Sequence, residues 1–271
     1  MSLNAAAYLE TYRDIMRFGT LRKPRGEWCR DLMNGHLVLQ TSETPCTSFD
    51  ARKFNLHYAK KELLWYIEAD PYADWIEKYA TAWKKLKQPK GMYYSNYGQY
   101  LFSRLLSEKN QKTQFEFVIE TLIKDQDSRR AAMVLLQPWH LFHENTDVVC
   151  TYAIHFAIYD SELHMTVMMR SNDAIWGLSN DAFCFWNIYQ MVYSLLHEHY
   201  PLLRRGQYAH MANSLHIYER HFEMANQMVR ENMLGYHPID VPFVTANETR
   251  ALLQLEGPKH DGKFSDWLQS D

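Results

Sequence analysis

Two alternating apolar runs joined by a short polar turn constrain this chain most. Cys150, Tyr152, Ile154, Phe156 and Ile158 recur at every second position. Asp160-Ser161-Glu162 follows, and Leu163, Met165, Val167 and Met169 resume the alternation. Side chains two apart share a face of a strand, so the stretch predicts an antiparallel hairpin with one apolar face. Beyond it the pattern breaks into Arg170-Ser171-Asn172-Asp173, Gly177 and Ser179-Asn180-Asp181. Polar groups crowded at the mouth of an apolar hairpin cost desolvation unless something binds them, which makes this end the candidate site. The cysteine that opens the first run is a candidate nucleophile, because a nearby guanidinium favours its thiolate.

The rest of the chain supplies helices around that hairpin. Leu9, Tyr12, Ile15 and Met16 predict a helix over 3–19 that stops at Gly19. LRKPRGEW reads as a basic loop in which Pro24 and Gly26 restrict Arg25. Residues 34–58 read as irregular or weakly stranded. A helix begins at Ala59 and carries Glu62 among Leu63, Leu64, Trp65 and Ile67. Pattern alone leaves two readings of that acid: the solvent edge of an amphipathic helix, or a buried carboxyl with a partner or a task. A second helical stretch follows Pro71 and carries Trp75 and Trp83. Residues 111–124 predict a further helix, and AAMVLL after Arg129 and Arg130 a buried strand. Residues 182–198 are apolar on most sides, the mark of a buried helix. QYAHMANSLHIY is strand-like and 219–232 helical, and the tail from Leu234 has several prolines and scattered polar residues. No repeat or linker divides the chain, so one α/β (α+β) domain over 1–271 is expected.

Composition narrows the function. A net charge of −3 offers no basic stripe for nucleic acid. No apolar run approaches the ~20 residues needed to span a bilayer. The N-terminus lacks the pattern of a secretory signal. The four cysteines have no paired spacing, and the thirteen histidines form no HExxH-like pair, so neither a disulfide framework nor a metal site is expected. The expected compartment is a reducing cytoplasm.

Four motifs, in order, carry a resemblance: DSRR at 127–130, Cys150, RSND at 170–173 with Gly177, and HIY at 216–218. Together they resemble the thymidylate synthase superfamily over roughly residues 20–230. SNYG at 95–98, CT at 150–151, GLSND and SLHIY are most similar to its phage-type deoxycytidylate hydroxymethylase branch. The resemblance implies a homodimer of α/β subunits, each with a large mixed sheet packed against helices and the sheets back to back. It implies Cys150 as the nucleophile at C6 of a pyrimidine. Arg25, Arg170 and Ser171 would hold the 5′-phosphate, with Arg129 and Arg130 reaching across the dimer. His216 and Tyr218 would hold the sugar hydroxyl, and Asn172 and Asp173 would line the nucleotide site. Glu62 and Tyr97 would organise proton transfer. Trp83, Glu62, Asp173 and Gly177 would face 5,10-methylenetetrahydrofolate as co-substrate.

Asp181 decides the implied substrate. Synthases carry Asn there, whose amide serves both N3–H and O4 of uracil. Cytosine presents an N4 amino donor and a neutral N3 acceptor. An ionised carboxylate accepts only. Asp181 therefore accepts from N4–H at once and from N3 when that nitrogen is protonated, which addition of sulfur at C6 promotes. Binding that strengthens along the reaction lowers its barrier. The competing reading makes Asp181 a helix N-cap before AFCFW. The implied reaction is hydroxymethylation of dCMP. The alternatives are dCMP methylation and thymidylate synthesis from dUMP. Val149 and Thr151 replace the Pro and His that flank the synthase cysteine, and FSDWLQSD does not resemble the synthase tail. Both departures fit a wetter site than hydride transfer needs.

Overall fold

The expected hairpin lies inside a mixed sheet that α-helices cover. In a computed structural model, which describes residues 2–103 and 111–270, the chain opens with α1 (Leu3–Phe18), β1 (Thr20–Arg22), β2 (Cys29–Gln40) and β3 (Thr47–Phe49). Helices α2 (Leu56–Glu68), α3 (Trp83–Leu86) and α4 (Gln114–Lys124) follow, then β4 (Ala132–Val134), β5 (Thr151–Tyr159), β6 (Glu162–Met169) and β7 (Asn172–Asp173). The chain continues with α5 (Gly177–His199), β8 (Arg204–Tyr218), α6 (Phe222–Glu231), β9 (Tyr236–Pro238), α7 (Ala246–Leu253) and α8 (Lys263–Gln269).

The main sheet runs β1-β2-β8-β6-β5-β4, with β7 pairing β8 at one end. All neighbours are antiparallel except β6 and β7 against β8. Parallel neighbours need a long crossover, and α5 supplies it between β6 and β8. That helix is buried along most of its length, from Leu178 to Leu196. The hairpin closes through Asp160 and Ser161 at φ 50° and 60°, the paired positive values that match the twist of two strands.

Several expectations need correction. Residues 29–40 form a twelve-residue strand, so the first part of the 34–58 stretch is stranded and not irregular; Cys29, Asp31, Gly35, Leu37 and Leu39 are buried, and the positions between them are half-buried or exposed. The tail holds two helices, the first opened by a Thr245–Glu248 capping box. The AAMVLL strand is half-buried, with Met133 covered and Val134 exposed. A register shift between Thr151 and Ala153 takes Tyr152 off the apolar face and leaves it 37% exposed, whereas Ile154, Phe156 and Ile158 stay buried as expected. A bulge adds one residue to a strand and so inverts the phase beyond it. Helix α5 begins at Gly177, five residues before the expected start, so Asp181 lies inside the helix and is not its N-cap.

Candidate active site

The ends of β2, β6, β7 and β8 meet the first turns of α5 and one face of α2 around a cavity of about 490 Å³. Its wall includes Arg25, Glu62, Trp83, Tyr97, Cys150, Arg170, Ser171, Asn172, Asp173, Gly177, Asp181, His216 and Tyr218. Thirteen sequence-predicted residues thus converge from seven separate stretches. Arg129 and Arg130 do not join them. They line a separate hollow of about 530 Å³ with Glu120, Asp125 and Asp127.

Each element delivers its side chain for a local reason. Strand β8 places Tyr208 and His210 in the core, and the same face carries Ser214, His216 and Tyr218 to the cavity. Arg25 sits in a short turn at φ 53°, next to Gly26 at φ 84°. Tyr97 stacks between Tyr66 at 5.2 Å and Phe185 at 6.1 Å. This packing requires a glycine next to it, because a Cβ on Gly98 would lie 1.6 Å from the Tyr66 carbonyl oxygen. The buried Asp147 fixes the same segment from the other side. It accepts from the Ser95 N–H at 2.8 Å and from the Ser95 hydroxyl, tying the loop of Tyr97 to the chain just before Cys150.

Cys150 and Arg170 are in contact. Arg170 Nη2 donates to Sγ at 3.3 Å and to the Val148 carbonyl at 2.6 Å, while Nε donates to the Val149 carbonyl at 3.0 Å. The expected thiolate is nevertheless not the resting form. Burial pushes the Cys150 thiol above its ordinary pKa, and this outweighs the opposing effect of Arg170, with Asp181 and Asp147 adding to the rise. The sulfur donates instead to the Val148 carbonyl at 3.7 Å. Arg170 is placed to stabilise negative charge as it develops on sulfur during attack.

Opposite the sulfur stand two buried carboxyl groups. Glu62 Oε1 accepts from the Tyr58 hydroxyl at 3.1 Å and the Tyr66 hydroxyl at 3.5 Å; Oε2 accepts from Asn180 Nδ2. Trp83 Nε1 donates to Tyr58 at 3.0 Å and braces that arm. Burial, with Asp181 nearby, pushes Glu62 up to about 8. Asp181 is pushed up to about 7 by burial and by Asp173, against the Asn172 hydrogen bond. That bond runs from Asn172 Nδ2 to Asp181 Oδ2 at 2.8 Å. Burial thus raises the proton affinity of both groups toward neutrality, where the pair can hold a proton or release one. Asp173 accepts from the Ile175 N–H at 2.9 Å, and burial raises it as well.

Such a constellation—a thiol beside a guanidinium, two buried acids of raised proton affinity, and His216 and Tyr218 on the same wall—suits covalent addition to a polarised ring. A family model described as thymidylate synthase matches residues 6–250. The chain belongs to the thymidylate synthase family. It has the thymidylate synthase fold and is a one-carbon transferase of that kind. The deoxycytidylate 5-hydroxymethyltransferase of Enterobacteria phage T6 is 28% identical over 179 residues, which is 64% of this chain and 71% of that protein. The phage T4 protein of the same name is 27% identical over the same shares. The deoxyuridylate hydroxymethyltransferase of Bacillus phage SP01 is 22% identical over 219 residues, 78% of this chain and 56% of that protein.

The sequence assigned no role to Asp147, Tyr58 or Tyr66, and it placed Asn180 and Ser95 in motifs without indicating their contacts. Asn180 stands one residue before Asp181 in the polar cluster that marked the candidate site. Asp147 and Ser95 are 52 residues apart, and nothing local in either segment announces the pairing.

Proposed function

We propose that the protein transfers a one-carbon unit from 5,10-methylenetetrahydrofolate to C5 of dCMP and releases 5-hydroxymethyl-dCMP. The observation that carries this reading is Asp181. Its Oδ2 is held by Asn172, among the described residues no hydrogen bond reaches its Oδ1, and the residue lines the cavity that also holds Cys150. A carboxylate so placed accepts from N4–H of cytosine and repels O4 of uracil.

Arg25, Arg170 and Ser171 would take the phosphate, and His216 and Tyr218 the sugar hydroxyl. The aromatic wall of Trp83 and Tyr66, with Gly177 opposite, fits a flat co-substrate, which supplies carbon at the oxidation level of formaldehyde. As the Cys150 sulfur forms its bond to C6, it gives up its proton, and Asp181 stabilises the proton taken at N3. C5 then forms its bond to the incoming carbon and loses its own proton, while the bond from that carbon to the folate nitrogen breaks and tetrahydrofolate leaves. Water adds to the resulting exocyclic methylene, and the C6–S bond breaks to restore the ring and the thiol. Glu62 holds a proton at neutral pH, and with Asn180, Tyr58 and Tyr66 forms a polar pocket suited to that water. The reading includes a homodimer in which Arg129 and Arg130 serve the partner's phosphate, in keeping with their position outside this chain's own cavity.

Incubation of dCMP with methylenetetrahydrofolate, followed by mass spectrometry of the nucleotide, tests the proposal. The expected product gains CH2O. A gain of CH2, or conversion of dUMP with dCMP untouched, overturns it.

A further inference from the structure

We infer that Asn172, locked by His210 and Tyr208, is a positioning residue that presents Asp181 Oδ1 to the base and thereby sets the preference for cytosine over uracil. The inference deepens the reading above and rests on it.

The contacts form one buried line. Asn172 Nδ2 donates to Asp181 Oδ2 at 2.8 Å, lies 3.3 Å from His210 Nε2, and has the Met169 sulfur at 2.9 Å. His210 Nδ1 lies 2.7 Å from the Tyr208 hydroxyl. Asn172 is 4% exposed, and His210 and Tyr208 are fully buried. The line joins β7 and the first turns of α5, close in sequence, to the distant β8.

The proton count fixes the direction of the amide. Burial holds His210 neutral, its pKa pushed down to about 3. A neutral imidazole has one N–H and one bare nitrogen. With Nδ1–H donated to Tyr208, Nε2 is bare; one Asn172 N–H goes to Asp181, and the other is shared between the Met169 sulfur and Nε2. The reversed amide would set Oδ1 against a carboxylate oxygen at 2.8 Å, acceptor against acceptor. Asn172 Oδ1 has no protein partner and lies 3.0 Å from where a Cβ on Gly177 would stand, so that glycine leaves the amide its room.

The consequence concerns the base. With Oδ2 engaged, the Asp181 carboxylate cannot rotate freely about its last bond, and Oδ1 alone is offered to the cavity. The Asn172 bond also favours the ionised form, the form that rejects O4 of uracil. Without Asn172, a protonated Asp181 can donate to O4, and discrimination falls. A charge-assisted hydrogen bond in a buried site is strong enough to matter here.

The experiment measures C5 tritium release from labelled dCMP and dUMP, in the presence of methylenetetrahydrofolate, for the wild type, Asn172→Ala and Tyr208→Phe. The readout is the ratio of kcat/KM for the two nucleotides. The expected ratio falls about tenfold or more in Asn172→Ala and by a smaller factor in Tyr208→Phe, which keeps the ring and so guards against a misfolded first variant. A merely structural role would lower both substrates by the same factor. An unchanged ratio in both variants, with a wild type that prefers dCMP, overturns this inference and leaves the proposed substrate standing. A wild type that prefers dUMP defeats the proposed substrate and this inference with it.

Discussion

Replacing Glu62 by Gln should flatten the dependence of stability on pH. The Glu62 side chain lies in the base of the cavity at 6% exposure, and its proton is held up to about 8 against an ordinary value of 4.5. In the unfolded chain the group ionises near its ordinary value, so from about pH 5 upward unfolding releases a proton. The stability that the folded protein enjoys at low pH is therefore lost as pH rises, and the loss levels off above about 8. One proton is worth about 1.4 kcal/mol per pH unit. Between pH 5.5 and 7.5 the wild type should lose roughly 2–3 kcal/mol through this group, on top of a similar trend from Asp181, whose value is about 7. Gln keeps the shape, can still pair with the Tyr58 and Tyr66 hydroxyls, and does not titrate. Urea unfolding at three pH values across that window measures the slope for both proteins. The slope of Glu62→Gln should be shallower by close to one proton. Parallel curves would mean that Glu62 ionises normally and that the acid is not desolvated as described.

Three further perturbations address the chemistry. Cys150→Ala should abolish both C5 proton exchange and product formation, measured by tritium release; persistent exchange would require another nucleophile. Asp181→Asn should shift preference toward dUMP, because an amide supplies a donor to O4, and losing the charge-assisted contact should cost dCMP ~1.5–3 kcal/mol; an unchanged kcat/KM ratio would show that this side chain does not read the base. Arg170→Ala should weaken nucleotide binding by at least ~1.5 kcal/mol in calorimetry and, by removing a guanidinium bonded to sulfur, raise the thiol pKa further, seen as slower alkylation of Cys150 at pH 8; unaltered binding and alkylation would remove it from both roles.

What the sequence disclosed depended on how local each signal was. The hairpin was legible because period two is written into consecutive residues, and its tight turn into Asp160 and Ser161. The bulge at Thr151–Ala153 was not, since one extra residue leaves no compositional trace; hence Tyr152 was assigned to the wrong face. Helix α5 was read from Ala182 because its first turns are polar. Those turns carry the cavity wall, and polarity that looked like a loop was a site facing inward. Strand β2 read only weakly for the same reason: Asp31, which lines the cavity, interrupts its apolar alternation. The candidate residues themselves emerged from motif resemblance, and all but Arg129 and Arg130 share one cavity. Their supports did not emerge. Asn180 reaches Glu62 across 118 residues, and His210 reaches Asn172 across 38. Such contacts are made by packing, not by spacing.

The account depends on a sulfur and an acid acting on the same amino-bearing ring. Tritium release from C5-labelled dCMP and C5-labelled dUMP by the unmodified protein, at equal concentrations with methylenetetrahydrofolate, tests it most directly. Rapid release from dCMP with little from dUMP is the predicted result. Release from dUMP alone would contradict it.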